Sequence, residues 1–364
     1  MVIRKLSLSC NRRQLLGGGL VLLGAPHAVL LGDEFGNAAL RGAGSTLVHP
    51  LMEAWVQQYR ADPYQVIRRN ASGGGLDDDI ANDKLDYEAV GSLAGIQRIR
   101  AGFVDFATGE MPLRADYLRK SGLMQFPWVF GGVAVVANVP GVKSFTLDAK
   151  ALAAIYLGRA TRWSDIAIAG QNPGVTLPDA PITVLHRSDG SGSTFTFSRL
   201  LSARDDDWKR RLGSELVLQW PVGKGVNGGG EMVAAVKSIP HAIGYVGATQ
   251  AKSEGLTIVG LRNGAGHSVL PEPTNIAAAV AAMVQKGEHL ERLPIDSSGE
   301  RAYPLVATVF GFMRAELRSA RQRRTAEFIR WTLTKGSGPA HQLGYLSLPQ
   351  PLAKSTLEQL ASEA

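Results

Sequence analysis

The sequence predicts an α/β fold built on mostly parallel sheets, and three observations carry this. Short apolar runs alternate with helical patterns along most of the chain. Several of these runs end in loops rich in glycine and hydroxyl residues that lead into a helix. At 364 residues the chain is long enough for a large core and two domains. Ligands of such sheets bind beyond the C-terminal ends of the strands. The same loops are therefore the place to look for a site.

Residues 1–31 read as an export signal. Asn11-Arg12-Arg13-Gln14 precedes a glycine-containing apolar run from Leu15 to Leu31. Paired arginines before a mildly hydrophobic segment resemble a twin-arginine signal, with cleavage near Ala28 or Ala39. Pro26 and His27 interrupt the run, which argues against a membrane-spanning helix. Cys10, the one cysteine, lies in this leader, so the processed chain has no disulfide, thiolate or cysteine-based metal site. Of the net charge of +7, Arg4, Lys5, Arg12 and Arg13 supply four, leaving +3 for the remainder. That is too mild to argue for nucleic acid. The seven histidines show no ligand spacing, so no metal is expected.

The elements follow in order. A short strand leads into Gly42-Ala43-Gly44, and Ser45 or Thr46 is placed to cap a helix from Leu51 to Tyr59. Residues 60–86, with Arg68-Arg69, Ser72-Gly73-Gly74-Gly75 and Asp77-Asp78-Asp79, read as an exposed loop or insertion. Tyr87–Val90 is a strand that ends at Gly91-Ser92, before a helix from Ile96 to Gly102. Val104–Thr108 is a strand that sets the carboxylate of Glu110 at its C-terminal end. Val133–Asn138 is a strand, and Leu147–Leu157 a helix with Asp148 near its start. Trp163-Ser164-Asp165 begins another short element. Beyond the central loop, a glycine-rich stretch opens a helix from Glu231 to Ser238, which turns into Ala242–Val246. An Ala-rich helix covers 274–287, and Tyr303–Phe310 is a strand. Ala315–Thr334 is a basic amphipathic helix, read as a solvated face, and Ala353–Ala361 is a further helix.

The central loop is His186-Arg187-Ser188-Asp189-Gly190-Ser191-Gly192-Ser193-Thr194-Phe195, between a strand from Ile182 to Leu185 and a helix from Phe195 to Leu201. It places an arginine, hydroxyls and free backbone N–H groups at a helix N-terminus, which is an anion site in outline. Arginine adds a planar fork that matches a tetrahedral oxyanion. Taken alone, the loop is equally compatible with a capped turn. His186 reads as a packed strand residue.

Four stretches together resemble the periplasmic phosphate-binding proteins of phosphate ABC transporters. They are Gly42-Ala43-Gly44-Ser45-Thr46; Gly91-Ser92 with Val104-Asp105-Phe106; Gln125-Phe126-Pro127 through Asn138-Val139-Pro140-Gly141; and Arg187 through Ser193. Ile155-Tyr156-Leu157-Gly158, Trp163-Ser164-Asp165 and Ala242-Ile243-Gly244-Tyr245-Val246 support them. The resemblance implies a two-lobed periplasmic-binding-protein fold of the type II kind, each lobe a mostly parallel sheet flanked by helices, with the ligand cleft between lobes. Residues 40–128 with 305–364 would form lobe I and 129–304 lobe II, the chain crossing near Phe126–Trp128 and returning near Tyr303–Val306.

Carried over by position, inorganic phosphate would be held by Thr46, Leu47, Ser92 and Glu110 from lobe I and by Arg187, Ser191, Gly192 and Ser193 from lobe II. Ser45 would support them, and Asp189 would hold the Arg187 guanidinium. Three positions depart from the family pattern. Glu110 stands where aspartate is usual, Leu47 where phenylalanine is usual, and Ser92-Leu93-Ala94-Gly95 replaces Ser-Ser-Gly-Gly.

The function implied is extracytoplasmic capture of phosphate, as a monomer, for delivery to an ABC permease. A secreted scavenger of the same fold, or a binder of another protonated oxyanion, is the alternative. An enzyme is not expected. The chain has no Gly-x-Ser-x-Gly, no P-loop ending, no metal cluster and no nucleophile set beside a base.

Overall fold

The computed structural model describes residues 40–63, 85–285 and 299–362. The expected export signal and most of the 60–86 loop lie outside the described residues. The strands are β1 (Arg41–Gly44), β2 (Asp86–Glu88), β3 (Phe106–Gly109), β4 (Leu123–Asn138), β5 (Thr146–Leu147), β6 (Thr183–Arg187), β7 (Lys224–Val226), β8 (Ala242–Gly247), β9 (Thr257–Ile258), β10 (Gly260–Arg262), β11 (Ser268–Val269), β12 (Val306–Arg314) and β13 (Leu346–Ser347). A 10-stranded sheet runs β2-β1-β3-β12-β4-β8-β6-β7, with β9 and β13 also on β4. A small sheet holds β11-β10-β5.

The sheet carries two parallel blocks. In one, β1 pairs parallel with β2 and β3. In the other, β6 pairs parallel with β7 and β8. Between them, β12 and β4 are antiparallel to their neighbours. β4 pairs with β12 up to Gly132, then with β8 from Val133 onward, so this one strand passes from block to block.

β4 also joins two stretches that a sequence pattern separates, because Pro127 interrupts the run. The register explains how the proline is tolerated. Phe310 faces Pro127 while Val309 faces Val129, leaving Trp128 as an extra, bulged residue. A bulge is one of the few places where a strand accommodates a residue without an N–H.

Helix starts differ from expectation where glycine or hydroxyl residues stand at the boundary. The first helix is His49–Ala61 and its N-cap is Val48, with no side-chain cap. Ser45 and Thr46 do not cap it, because their hydroxyls are engaged with Glu110 and Arg187. The helices Ser92–Ala101, Gly192–Arg204 and Gly228–Ser238 each start three or four residues early. Ser92 and Gly192 therefore sit inside a first turn, where N–H groups lack intrahelical partners. Further on, Asp148 caps Ala149–Tyr156, accepting Ala151 N–H at 2.7 Å. The basic helix begins at Ala320, behind a capping box of Ser319 and Gln322.

Aromatic packing fixes both blocks. Trp128 stacks on Trp55 with ring centroids 5.6 Å apart, and its Nε1 donates to Thr332 Oγ1 at 2.7 Å. On the other side Tyr245 stacks on Phe197 at 4.6 Å, with Tyr156 and Trp220 around them. Such pairs add about 0.5–1.5 kcal/mol beyond their area burial. The second cluster holds the Tyr245 hydroxyl beneath the β6 strand end. Among the described residues, no helix is long and apolar enough to cross a membrane.

Candidate anion-binding site

The loops that follow β1, β2, β3 and β6 converge on one buried point. Ser45, Ser92, Glu110, Arg187, Ser191 and Ser193 are all buried, and Glu110 is fully so. Five residues after Glu110 the next helix begins, so the acid sits on the turn directly beyond β3.

The Glu110 carboxylate lies between the two blocks. Oε1 accepts the Ser45 hydroxyl, and Oε2 accepts the Ser92 hydroxyl at 2.7 Å. Leu47 N–H donates to Ser45 Oγ at 3.1 Å. Across the gap, Gly192 N–H donates to Ser92 Oγ at 3.1 Å. A Cβ on Gly192 would run into Glu110 Oε2 and Cδ. This position needs glycine because a carboxylate rests on its Cα. Burial pushes the Glu110 carboxyl above its usual range, opposed by the Ser45 and Ser92 hydrogen bonds and by the Arg187 charge.

Arg187 ends β6 with its side chain 1% exposed. Its Nε donates to Asp189 Oδ1 at 2.6 Å and its Nη2 to Asp189 Oδ2. Its Nη1 reaches across to Thr46 Oγ1 at 3.2 Å. Asp189 also accepts Gly228 N–H at 3.0 Å, at the start of the glycine-rich helix. The arginine is thus held by the acid two residues away and aimed at the first block. Gly91, with φ +90°, passes so near that a Cβ there would meet Asp189 Oδ2 at 2.6 Å.

The remaining expected residues have definite places. Ser191 caps the Gly192–Arg204 helix, its Oγ accepting Thr194 N–H at 3.2 Å. Ser193 is buried in that first turn. Thr46 borders both the site and a cavity of about 650 Å³ shared by His49, Glu53, Gly228, Glu231 and Gln250. Leu93, at one departure from the family pattern, donates its N–H to Gly190 O at 3.0 Å, tying the blocks together beside the site. His186 stacks on Trp220 with centroids 4.8 Å apart, and burial lowers its pKa.

Several site-shaping residues were not singled out in the sequence. The Tyr87 hydroxyl donates to Ser45 O at 2.8 Å, and Thr108 Oγ1 accepts Ser45 N–H at 3.0 Å. The Tyr345 hydroxyl donates to Leu47 O at 2.6 Å from the far end of the chain. Arg187 N–H donates to the Tyr245 hydroxyl at 3.2 Å, which shares a 2.7 Å hydrogen bond with Thr194 Oγ1. Burial raises the Tyr245 phenol to about 12. Of these, Tyr245 and Thr194 carried a sequence signal, the first from a stretch that bears the resemblance and the second from the central loop. Among the described residues, no cluster of three His, Cys, Asp or Glu is placed to hold a metal.

A mixed α/β sheet with donors from two parallel blocks meeting at one buried point defines a solute-binding class of protein. A family model described as a PBP superfamily domain matches residues 32–335. The phosphate-binding protein PstS of Xylella fastidiosa (strain 9a5c) is 35% identical over 335 residues, 91% of this chain and 87% of that protein. PstS of Pasteurella multocida (strain Pm70) is 30% identical over 348 residues, 93% of this chain and 96% of that protein. Among solved structures, a high-affinity periplasmic phosphate-binding protein (PfluDING) bound with phosphate superposes with a TM-score of 0.64. It is 17% identical and covers 88% of this chain and 93% of that one. An ABC-type phosphate transport receptor from Vibrio cholerae gives a TM-score of 0.53 at 17% identity, covering 85% of this chain and 100% of that one. At that identity the structural likeness concerns the fold. The chain belongs to the PBP superfamily and, within it, to the PstS phosphate-binding protein family.

Proposed function

We propose that this chain binds inorganic phosphate between the two blocks and delivers it to an ABC permease, without chemical turnover. Thr46, Leu47, Ser92 and Glu110 act from one side, and Arg187, Ser191, Gly192 and Ser193 from the other. Ser45 and Asp189 hold Glu110 and Arg187 in place. Residues 40–128 with 305–364 form one lobe and 129–304 the other, and the partner change of β4 at Gly132–Val133 is a natural hinge. Export through the leader, by the twin-arginine route, places the protein outside the cytoplasmic membrane.

One observation carries this reading. An acid from one block and an aspartate-held arginine from the other, both buried, converge on the same cluster of hydroxyl and N–H donors. A buried dianion needs many donors, because an unpaired buried charge is very costly. A carboxylate among those donors selects an anion that carries a proton. Hydrogen phosphate donates to Glu110, whereas sulfate has no proton to give and meets only repulsion.

The test is calorimetric titration of phosphate-stripped protein near neutral pH. Tight phosphate binding, competition by arsenate, weak sulfate binding and loss of affinity in Arg187→Ala support the reading. Equal competition by sulfate refutes it.

A further inference from the structure

Three of the groups assigned to phosphate, Leu47, Ser92 and Gly192, are engaged in a hydrogen-bonded cluster around Glu110. Oε1 accepts the Ser45 hydroxyl, to which Leu47 N–H also donates. Oε2 accepts the Ser92 hydroxyl, to which Gly192 N–H also donates. The carboxylate lies against Gly192 at the start of a 13-residue helix, where free N–H groups and the helix dipole favour an anion. The Arg187 guanidinium is directed to Asp189 and Thr46.

We propose that Glu110 is an internal competitor for the anion, a carboxylate that takes hydroxyl donors an incoming oxyanion needs and rests against Gly192 across the gap. This rests on the phosphate reading for the identity of the ligand. An aspartate is shorter by one carbon–carbon bond, about 1.5 Å, and falls short of the Gly192 backbone. With glutamate, binding is an exchange. The anion takes the Leu47 and Gly192 N–H groups and the two hydroxyls, and Glu110 turns from holding those hydroxyls to facing the ligand. The self-bonded form lowers the apparent affinity by the fraction of molecules it holds.

The other charged or titratable groups around Glu110 are Arg187, with Asp189 behind it, and the phenols of Tyr87 and Tyr345. Asp189 is committed to Arg187 and Gly228 N–H. Glu110 is thus the one group of this set that supplies a carboxylate to the Ser45–Ser92 donors.

The experiment compares the full, phosphate-stripped chain with Glu110→Asp and Glu110→Ala. Calorimetric titration with inorganic phosphate is expected to show Glu110→Asp binding about tenfold tighter than the parent, the size of one lost charge-assisted contact. Thermal melting of the stripped proteins is expected to show Glu110→Ala with a lower Tm than the parent, because the Ser45 and Ser92 hydroxyls lose their acceptor. Glu110→Asp that binds phosphate no more tightly than the parent overturns the proposal. So does a stripped Glu110→Ala that melts at or above the parent. If no form binds phosphate, the ligand reading falls, and the melting comparison still decides whether Glu110 holds the two hydroxyls. Glu110→Ala keeps the test open if the aspartate variant does not fold.

Discussion

Gly192→Ala isolates the contact on which the site is built. In an ordinary first turn of a helix, replacing glycine by alanine stabilises by up to about 1 kcal/mol. Here the new Cβ would run into Glu110 Oε2 and Cδ and stand 2.6 Å from Ser92 Oγ. The carboxylate has no free retreat, because Ser45 and Ser92 hold its two oxygens. Overpacking at a rigid buried contact costs about 1–3 kcal/mol, and loss of one charge-assisted hydrogen bond adds about 1.5–3 kcal/mol. Set against the helix gain, the net loss is about 1.5–5 kcal/mol. At about 2 °C per kcal/mol for a chain of this size, Tm falls by about 3–10 °C. The assay is differential scanning calorimetry of phosphate-stripped protein. The double variant Glu110→Ala/Gly192→Ala should recover most of the loss, because the group being struck is absent. A Gly192→Ala protein as stable as the parent refutes the reasoning. So does a double variant whose loss is the sum of the singles to within about 0.5 kcal/mol.

Two further outcomes follow from the same geometry. Asp189→Asn leaves the Arg187 guanidinium, 1% exposed, without its charged partner. Breaking such a buried pair costs about 3–5 kcal/mol, so stripped protein should melt about 6–10 °C lower. Phosphate should then raise its Tm by more than it raises the parent's, since the ligand re-pairs the arginine; a melting point equal to the parent's contradicts this. The second outcome concerns pH. The folded protein holds the Glu110 proton more tightly than the unfolded chain, because burial raises this carboxyl from its usual 4.5. The stability Glu110 contributes is therefore full below that value and is lost as pH climbs through the raised one. Tyr87 and Tyr345 beside it are themselves pushed up by burial and keep their protons. Melting curves from about pH 4 to about pH 8 should show Glu110→Gln gaining on the parent as pH rises. A difference that stays constant over that range shows that the carboxyl is not buried as described.

Much of the site was legible because it is local. Arg187, Asp189, Ser191 and Gly192 lie within six residues, between a strand and a helix, and their spacing alone outlines an anion loop. Ser45 and Glu110 stand just beyond the ends of β1 and β3, where an α/β sheet presents ligand-binding groups. Helix boundaries were less legible. A glycine weakens a helical pattern, yet Gly192 begins a helix because the Glu110 carboxylate rests on its Cα, and Gly228 begins one with φ +72° and its N–H donated to Asp189.

By itself the amino-acid order determined the alternation of strands and helices, the three hydroxyl-rich loops and the family. Those features depend on periodicity and backbone dihedrals within a few residues, so a short window contains them. Tertiary structure decided that β4 runs unbroken through Pro127 and links both blocks, since the bulge that permits it exists only against β12. It also decided that Tyr87, Tyr245 and Tyr345 brace the loops, and that Glu110 points across the gap to Gly192. Each of these last contacts joins one side chain to backbone distant in the chain. Such contacts have no period and no spacing rule, and they come into being only when the packed sheet brings the strand ends together.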